Sequence, residues 1–248
     1  MSKFKSFEEM KQICEEINAS HIPDGSRFDE AIDDILSDEE STADEVVANA
    51  YRHLLQTVDA EIETIEGKMK LSPTCRKGCA HCCYFPIIVT RLEAKLIWET
   101  MKQTMGEEAA RQKITTYVEN YKDKLSEITS LDFRTDADFK YKYISAQIPC
   151  PLLDTETNTC VAYDVRPIPC RTYLNYANPQ VCADDLVPKE PFSYEFLYRY
   201  YMDGLHEVIE ALLYGGEEVS FNYPFDLMEY DYLPNFLQEE LKNEQPEP

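Results

Sequence analysis

The run Cys75-Arg-Lys-Gly-Cys79-Ala-His-Cys82-Cys83 decides how the chain is read. It sets four thiols in a C-x3-C-x2-C-C pattern, so several must lie close together whatever the backbone does. Were the segment helical, Cys75, Cys79 and Cys82 would share a face, because positions i, i+4 and i+7 recur on one side. Cys83, adjacent to Cys82, would point elsewhere and serve a second metal, a bridge or the packed interior. Packing gives no reason for such crowding, whereas a thiophilic metal needs convergent sulfurs.

Working outward, a looser series follows: Cys150, Cys160, Cys170 and Cys182. Flanking prolines in Ile-Pro-Cys150-Pro and Ile-Pro-Cys170-Arg restrict the backbone around two of them. The ninth cysteine, Cys14, falls on the apolar face formed by Phe7, Met10, Ile13 and Ile17, and reads as a small buried hydrophobe. The N-terminus shows no apolar h-region and no stretch is long and apolar enough to span a bilayer, so a soluble, cytoplasmic chain is expected. In that compartment clustered cysteines serve as metal ligands or redox groups more readily than as disulfides.

The formal charge of −23 excludes a nucleic-acid-binding face, which needs clustered cations, and would suit a basic protein partner. Acid is nevertheless absent from Gly67 to Leu92, from Phe139 to Leu153 and from Val165 to Ala183, and these islands hold all the grouped cysteines except Cys160. Their lysines and arginines would offset thiolate charge. Arg166 and Arg171 are candidates for stabilising thiolates or an anionic group. The competing reading makes them structural, pairing with Asp164, loop carbonyls or an acidic helix. His81 is a secondary ligand candidate.

The 3.6-residue apolar period predicts a mainly α fold with irregular, metal-organised cysteine loops and at most a few short strands. Helices are expected from Thr42 to Lys70, after a Thr90/Glu93 capping box, from Glu107 to Ile128, and from Leu197 to the Gly215-Gly216 pair. His53, beside the first of these stripes, reads as a surface residue. Short strands are expected at Tyr141–Ser145 and around Cys160–Ala162. Phe221 to Phe236 is expected to wrap the core and Leu237 to Pro248 to fray. Three segments result: helical 1–70, a cysteine core over 71–190, and helical 191–248, together forming one compact domain.

All-thiolate ligation suits zinc or an iron–sulfur cluster. A zinc ribbon would present two C-x2-C knuckles, and only Cys79 and Cys82 form one. The C-x3-C-x2-C run is also the cluster motif of radical S-adenosylmethionine enzymes, but the repeated βα pattern of their barrel is missing.

Taken together, the 75–83 run, Pro86-Ile-Ile-Val-Thr-Arg-Leu-Glu93, Cys150-Pro-Leu-Leu153 and Cys160-Val-Ala-Tyr-Asp-Val-Arg-Pro-Ile-Pro-Cys-Arg171 resemble the YkgJ-type cysteine-cluster family of zinc- or iron-chelating domains. Flagellin lysine N-methylase is among the relatives of that family. The resemblance implies a metal-binding domain and carries over Cys75, Cys79, Cys82, Cys83, Cys150, Cys160 and Cys170 as ligands. Two functions are compatible with it. One is a metal-binding protein with a redox role; the other is an iron–sulfur-dependent enzyme, such as a protein-lysine N-methylase-like transferase or an oxidoreductase. With seven glycines, no G-x-G-x-x-G and no G-x-S-x-G, the chain carries no dinucleotide loop or hydrolase elbow.

Overall fold

A computed structural model describes residues 4–243 and is mainly α-helical. Its helices are α1 (Phe7–Ser20), α2 (Ser26–Leu36), α3 (Ala43–Met69), α4 (Arg91–Met105), α5 (Glu107–Thr129), α6 (Phe139–Ser145), α7 (Ile168–Thr172), α8 (Val181–Asp184), α9 (Phe196–Tyr214), α10 (Phe225–Met228) and α11 (Leu233–Asn243). The strands are two or three residues long: β1 (Ile88–Thr90), β2 (Leu153–Asp154), β3 (Thr159–Cys160), β4 (Tyr173–Leu174), β5 (Phe192–Ser193) and β6 (Tyr230–Tyr232). No helix among the described residues is long and apolar enough to cross a membrane. The chain divides into two compact units, one of Met1–Arg76, Ile168–Val181 and Pro188–Phe221, the other of Lys77–Pro167, Cys182–Val187 and Asn222–Pro248. The first draws on all three sequence segments, and the second on the latter two.

The first unit is built on α3. Thr42 caps its start: the Thr42 side chain accepts from Glu45 N, and the Glu45 carboxylate takes the Thr42 N–H at 2.9 Å. Lys70 ends it in the left-handed conformation. Val46, Val47, Ala50, Tyr51, Leu54, Leu55, Val58, Ile62 and Ile65 are all buried, as the apolar stripe demands. Each such valine, leucine or isoleucine contributes roughly 1.5–3 kcal/mol by leaving water. The stripe packs on α2 and α9. On α9, Gly204 lets the helix approach α3 closely: a Cβ there would come within 3.1 Å of Leu54 Cδ2, which would have to give way. Strands β4 and β5 pair antiparallel, with Tyr173 opposite Ser193.

The second unit is built on α4, α5 and α11. The expected Thr90/Glu93 capping box starts α4 and is wholly buried, Thr90 N donating to Glu93 Oε2 at 2.8 Å. Trp98, Ile97 and Met101 of α4 are fully buried, as are Leu233 and Leu237 of α11. Strand β1 pairs antiparallel with β6, Ile88 opposite Tyr232. Arg91, at the end of β1, makes two hydrogen bonds to the Glu229 carboxylate and one to Glu239 at 2.6 Å. A core of Tyr117, Leu125, Ile128, Tyr143, Ile148 and Tyr232 forms beside this frame.

Two expectations are corrected. Tyr141–Ser145 is helical, within α6, because neighbouring Tyr143 and Ile144 are both buried, which no strand with a single inner face allows. Leu237 does not begin a frayed tail: it lies on α11 with Leu233 and Phe236, an apolar face at helical spacing. The last residues of that expected tail, 244–248, lie outside the described residues.

Candidate metal centre

The cysteine run is not one helix. Only His81–Tyr84 forms a helical turn, of the tighter 3-10 kind, so Cys82 and Cys83 stand on it while Cys79 precedes it. Gly78 has a φ of 93°, a conformation that side-chain-bearing residues adopt only with strain. All nine cysteines are unbridged and half-buried.

Within the second unit, hydrogen bonds join most of the thiol-bearing segments. Cys82 and Cys83 are hydrogen-bonded through their side chains. Cys150 N donates to Cys83 O at 2.6 Å, which ties the second cysteine series to the first. Leu153 N donates to Cys150 O at 3.0 Å and Leu153 pairs with Cys160 across the β2–β3 hairpin. The strand expected around Cys160–Ala162 is found only in part: Cys160 ends β3, and Val161 and Ala162 turn away from it. Cys182 stands on α8.

The electrostatics of this group are mixed. The Cys82 thiol is pushed well above the ordinary thiol range, first by its hydrogen bond with Cys83, then by burial and by the charge of Cys83, while Arg166 pulls it back. Arg166 lies 4.4 Å from the centroid of the Tyr163 ring, and Lys77 Nζ lies 5.5 Å from the same ring. Two cations from separate acid-free islands therefore share one aromatic residue beside the thiols. Arg166 is a candidate from the sequence, but nothing in the sequence pairs its guanidinium with the Tyr163 ring.

Within the first unit, Cys75 Sγ accepts from Asn175 N at 3.3 Å, while Asn175 O takes both the Thr74 N–H and its hydroxyl. Cys170 lies on α7 next to Arg171. Arg171 is 3% exposed and forms an ion pair with Asp59 of α3, so the acidic-helix alternative describes its pairing. Asp59 and Asn175 had no sequence signal, since each acts across roughly a hundred residues. Cys14 is half-buried on α1, where burial raises its thiol pKa. His81 is exposed.

Among the described residues, no three His, Cys, Asp or Glu side chains are grouped so as to hold a metal ion. The donor chemistry nevertheless fits a thiophilic metal. The thiols are unbridged and half-buried, cations lie beside them, and a buried tyrosine hydroxyl, Tyr117 Oη, lacks a hydrogen-bond partner among the described residues. Such a donor set is what a metal-chelating protein needs. Residues 74–186 match the family CxxCxxCC, whose description is "Putative zinc- or iron-chelating domain". All eight grouped cysteines lie within the match. The family's name writes two residues between its first and second cysteines; this chain has three, and the left-handed Gly78 turns the longer spacer. No curated protein and no solved structure matches the chain.

Proposed function

We propose that the chain is a cytoplasmic thiolate metal-binding protein, holding zinc or an iron–sulfur cluster mainly through Cys79, Cys82, Cys83 and Cys150, with Cys160 and Cys182 as further donors from the same unit. The observation that carries this reading is the linkage of Cys82 to Cys83 and of Cys83 to Cys150, which joins the two cysteine series through hydrogen bonds. Cys75 and Cys170 belong to the same family match but lie in the first unit. Bound zinc would lock the loops, and a bound iron–sulfur cluster would add electron transfer.

This chain's own residues would prepare the site. Arg166 and Lys77 offset thiolate charge, and the hydrogen bond from Cys150 N to Cys83 O keeps two donor segments adjacent. Because the donors come from separate turns, metal binding would be coupled to the ordering of those turns. The test is to purify the protein without oxygen, record its visible spectrum, and measure iron, labile sulfide and zinc per chain. Brown protein with iron and sulfide supports a redox centre, and stoichiometric zinc supports a structural one. Colourless, metal-free protein whose thermal stability is unchanged by added metal or chelator would sink the reading.

A further inference from the structure

Tyr117 stands on α5 one turn after Lys113, and residues four apart share a helix face. Lys113 Nζ donates to Leu153 O at 3.0 Å, and Leu153 N donates to Cys150 O. The turn that begins at Cys150 is therefore fastened to the helix face that presents Tyr117. The Tyr117 ring is 8% exposed, packs with Tyr143 and Ile148, and lies 5.3 Å from the Tyr121 ring.

Its hydroxyl is the anomaly. It is buried and, among the described residues, makes no hydrogen bond. A phenylalanine would fill the same space without the cost of a stranded polar group. A buried phenol of this kind is an O–H donor in need of an acceptor. A neutral thiol accepts weakly, whereas a metal-bound thiolate accepts strongly.

We propose that Tyr117 is a positioning residue for the metal centre, its hydroxyl donating a hydrogen bond to the Cys150 sulfur when that sulfur is held as a thiolate by metal. This rests on the metal-binding reading above. The bond orients the Cys150 side chain and lowers the electron density on its sulfur, as partners just outside a coordination shell do.

The test compares the full-length wild type with Tyr117→Phe, each stripped of metal and titrated with Co(II), whose thiolate charge-transfer band reports sulfur ligation. The expected variant binds Co(II) about 10- to 100-fold more weakly. Its charge-transfer band moves to lower energy, because the sulfur has lost a donor. The metal-free variant melts at or above the wild-type temperature, since only a stranded hydroxyl has been removed. Equal affinity and an unchanged band would overturn the proposal. So would equal destabilisation of the metal-free and loaded variants, which marks a purely structural tyrosine. Absence of a thiolate band in the wild type overturns the metal-binding reading itself, and Tyr117's role with it.

Discussion

Cys75 and Cys170 are set into the unit built on α3, whereas Cys79, Cys82, Cys83, Cys150 and Cys160 belong to the unit built on α4, α5 and α11. In the first unit the segments carrying the thiols are secured by protein groups: Asn175 grips Thr74 and Cys75, and Arg171, next to Cys170, pairs with Asp59 on the longest helix. In the second unit Cys82, Cys83, Cys150 and Cys160 stand on short turns and a short hairpin, tied to one another by the Cys150 N to Cys83 O hydrogen bond and to α5 by the hydrogen bond from Lys113 to Leu153. The matched segment thus contains thiols in two kinds of setting. If the proposed centre forms, those set beside packed anchors should keep their place without metal, and those on turns should gain order from it.

The largest effect is expected from the packed side. Leu54→Ala removes a fully buried side chain against Gly204 and should cost about 4 kcal/mol in a denaturant melt, with metal content per folded chain unchanged. Loss of metal in step with stability would show that the two kinds of thiol are one system.

Chelation comes next. Removing metal that exceeds its dissociation constant a hundredfold should cost about 3 kcal/mol. Hydrogen exchange should quicken over residues 77–87 and 148–162 and stay slow in α3 and α9; uniform quickening would break the comparison. In the same series Cys79→Ser should abolish the metal-dependent gain, and Cys14→Ser should leave it intact.

Asp59→Ala leaves the Arg171 guanidinium buried without its carboxylate. Because Asp59 is itself partly exposed, a loss of about 1–2 kcal/mol is expected, measured by thermal melts of the metal-free chain. An unchanged melting temperature would mean that the α7 segment is held by packing alone.

Gly78→Ala should cost roughly 1 kcal/mol through backbone strain only, since nothing lies within 4 Å of the added methyl. Its sharper readout is weaker metal binding, because the spacer between Cys75 and Cys79 must re-form. Tight binding by the variant would show that the turn is incidental.

The smallest effect is a pH dependence in the first unit. Burial raises the Glu66 pKa above the ordinary carboxylate range, against the hydrogen bond donated by Tyr176 at 2.6 Å. A group with a raised folded pKa contributes its stability below the unfolded value and loses it as pH climbs through the folded one. Glu66→Gln, which does not titrate, should therefore match the wild type in acid and out-melt it slightly as pH rises through that window. A wild type that gains on the variant with rising pH would show that the Tyr176 hydrogen bond outweighs burial.

Much of the helical frame was legible because long apolar stripes and caps are local signals. Thr42 and Thr90 mark helix starts that the structure reproduces, and α5 runs Glu107–Thr129 against an expected Glu107–Ile128. Short elements were not. Lys-Tyr-Lys-Tyr over 140–143 alternates as a strand would, yet Tyr141 is 60% exposed and the inner face falls on Tyr143 and Ile144. At α11 the acidic composition masked the spacing of Leu233, Phe236 and Leu237. The eight grouped cysteines were visible as a pattern, but their division between two units was not. That division depends on partners such as Asp59 for Arg171 and Asn175 for Cys75, and no window of sequence contains both members.

The β1–β6 pairing has a consequence for the order of events during synthesis. The Arg91 contacts that brace it join residues 138 and 148 positions apart, so the second unit cannot close until α11 has left the ribosome. By then Cys75 to Cys83 have long been translated, with their acid-free surroundings and no finished scaffold. The newborn thiols are therefore exposed to solvent before the fold that shelters them exists.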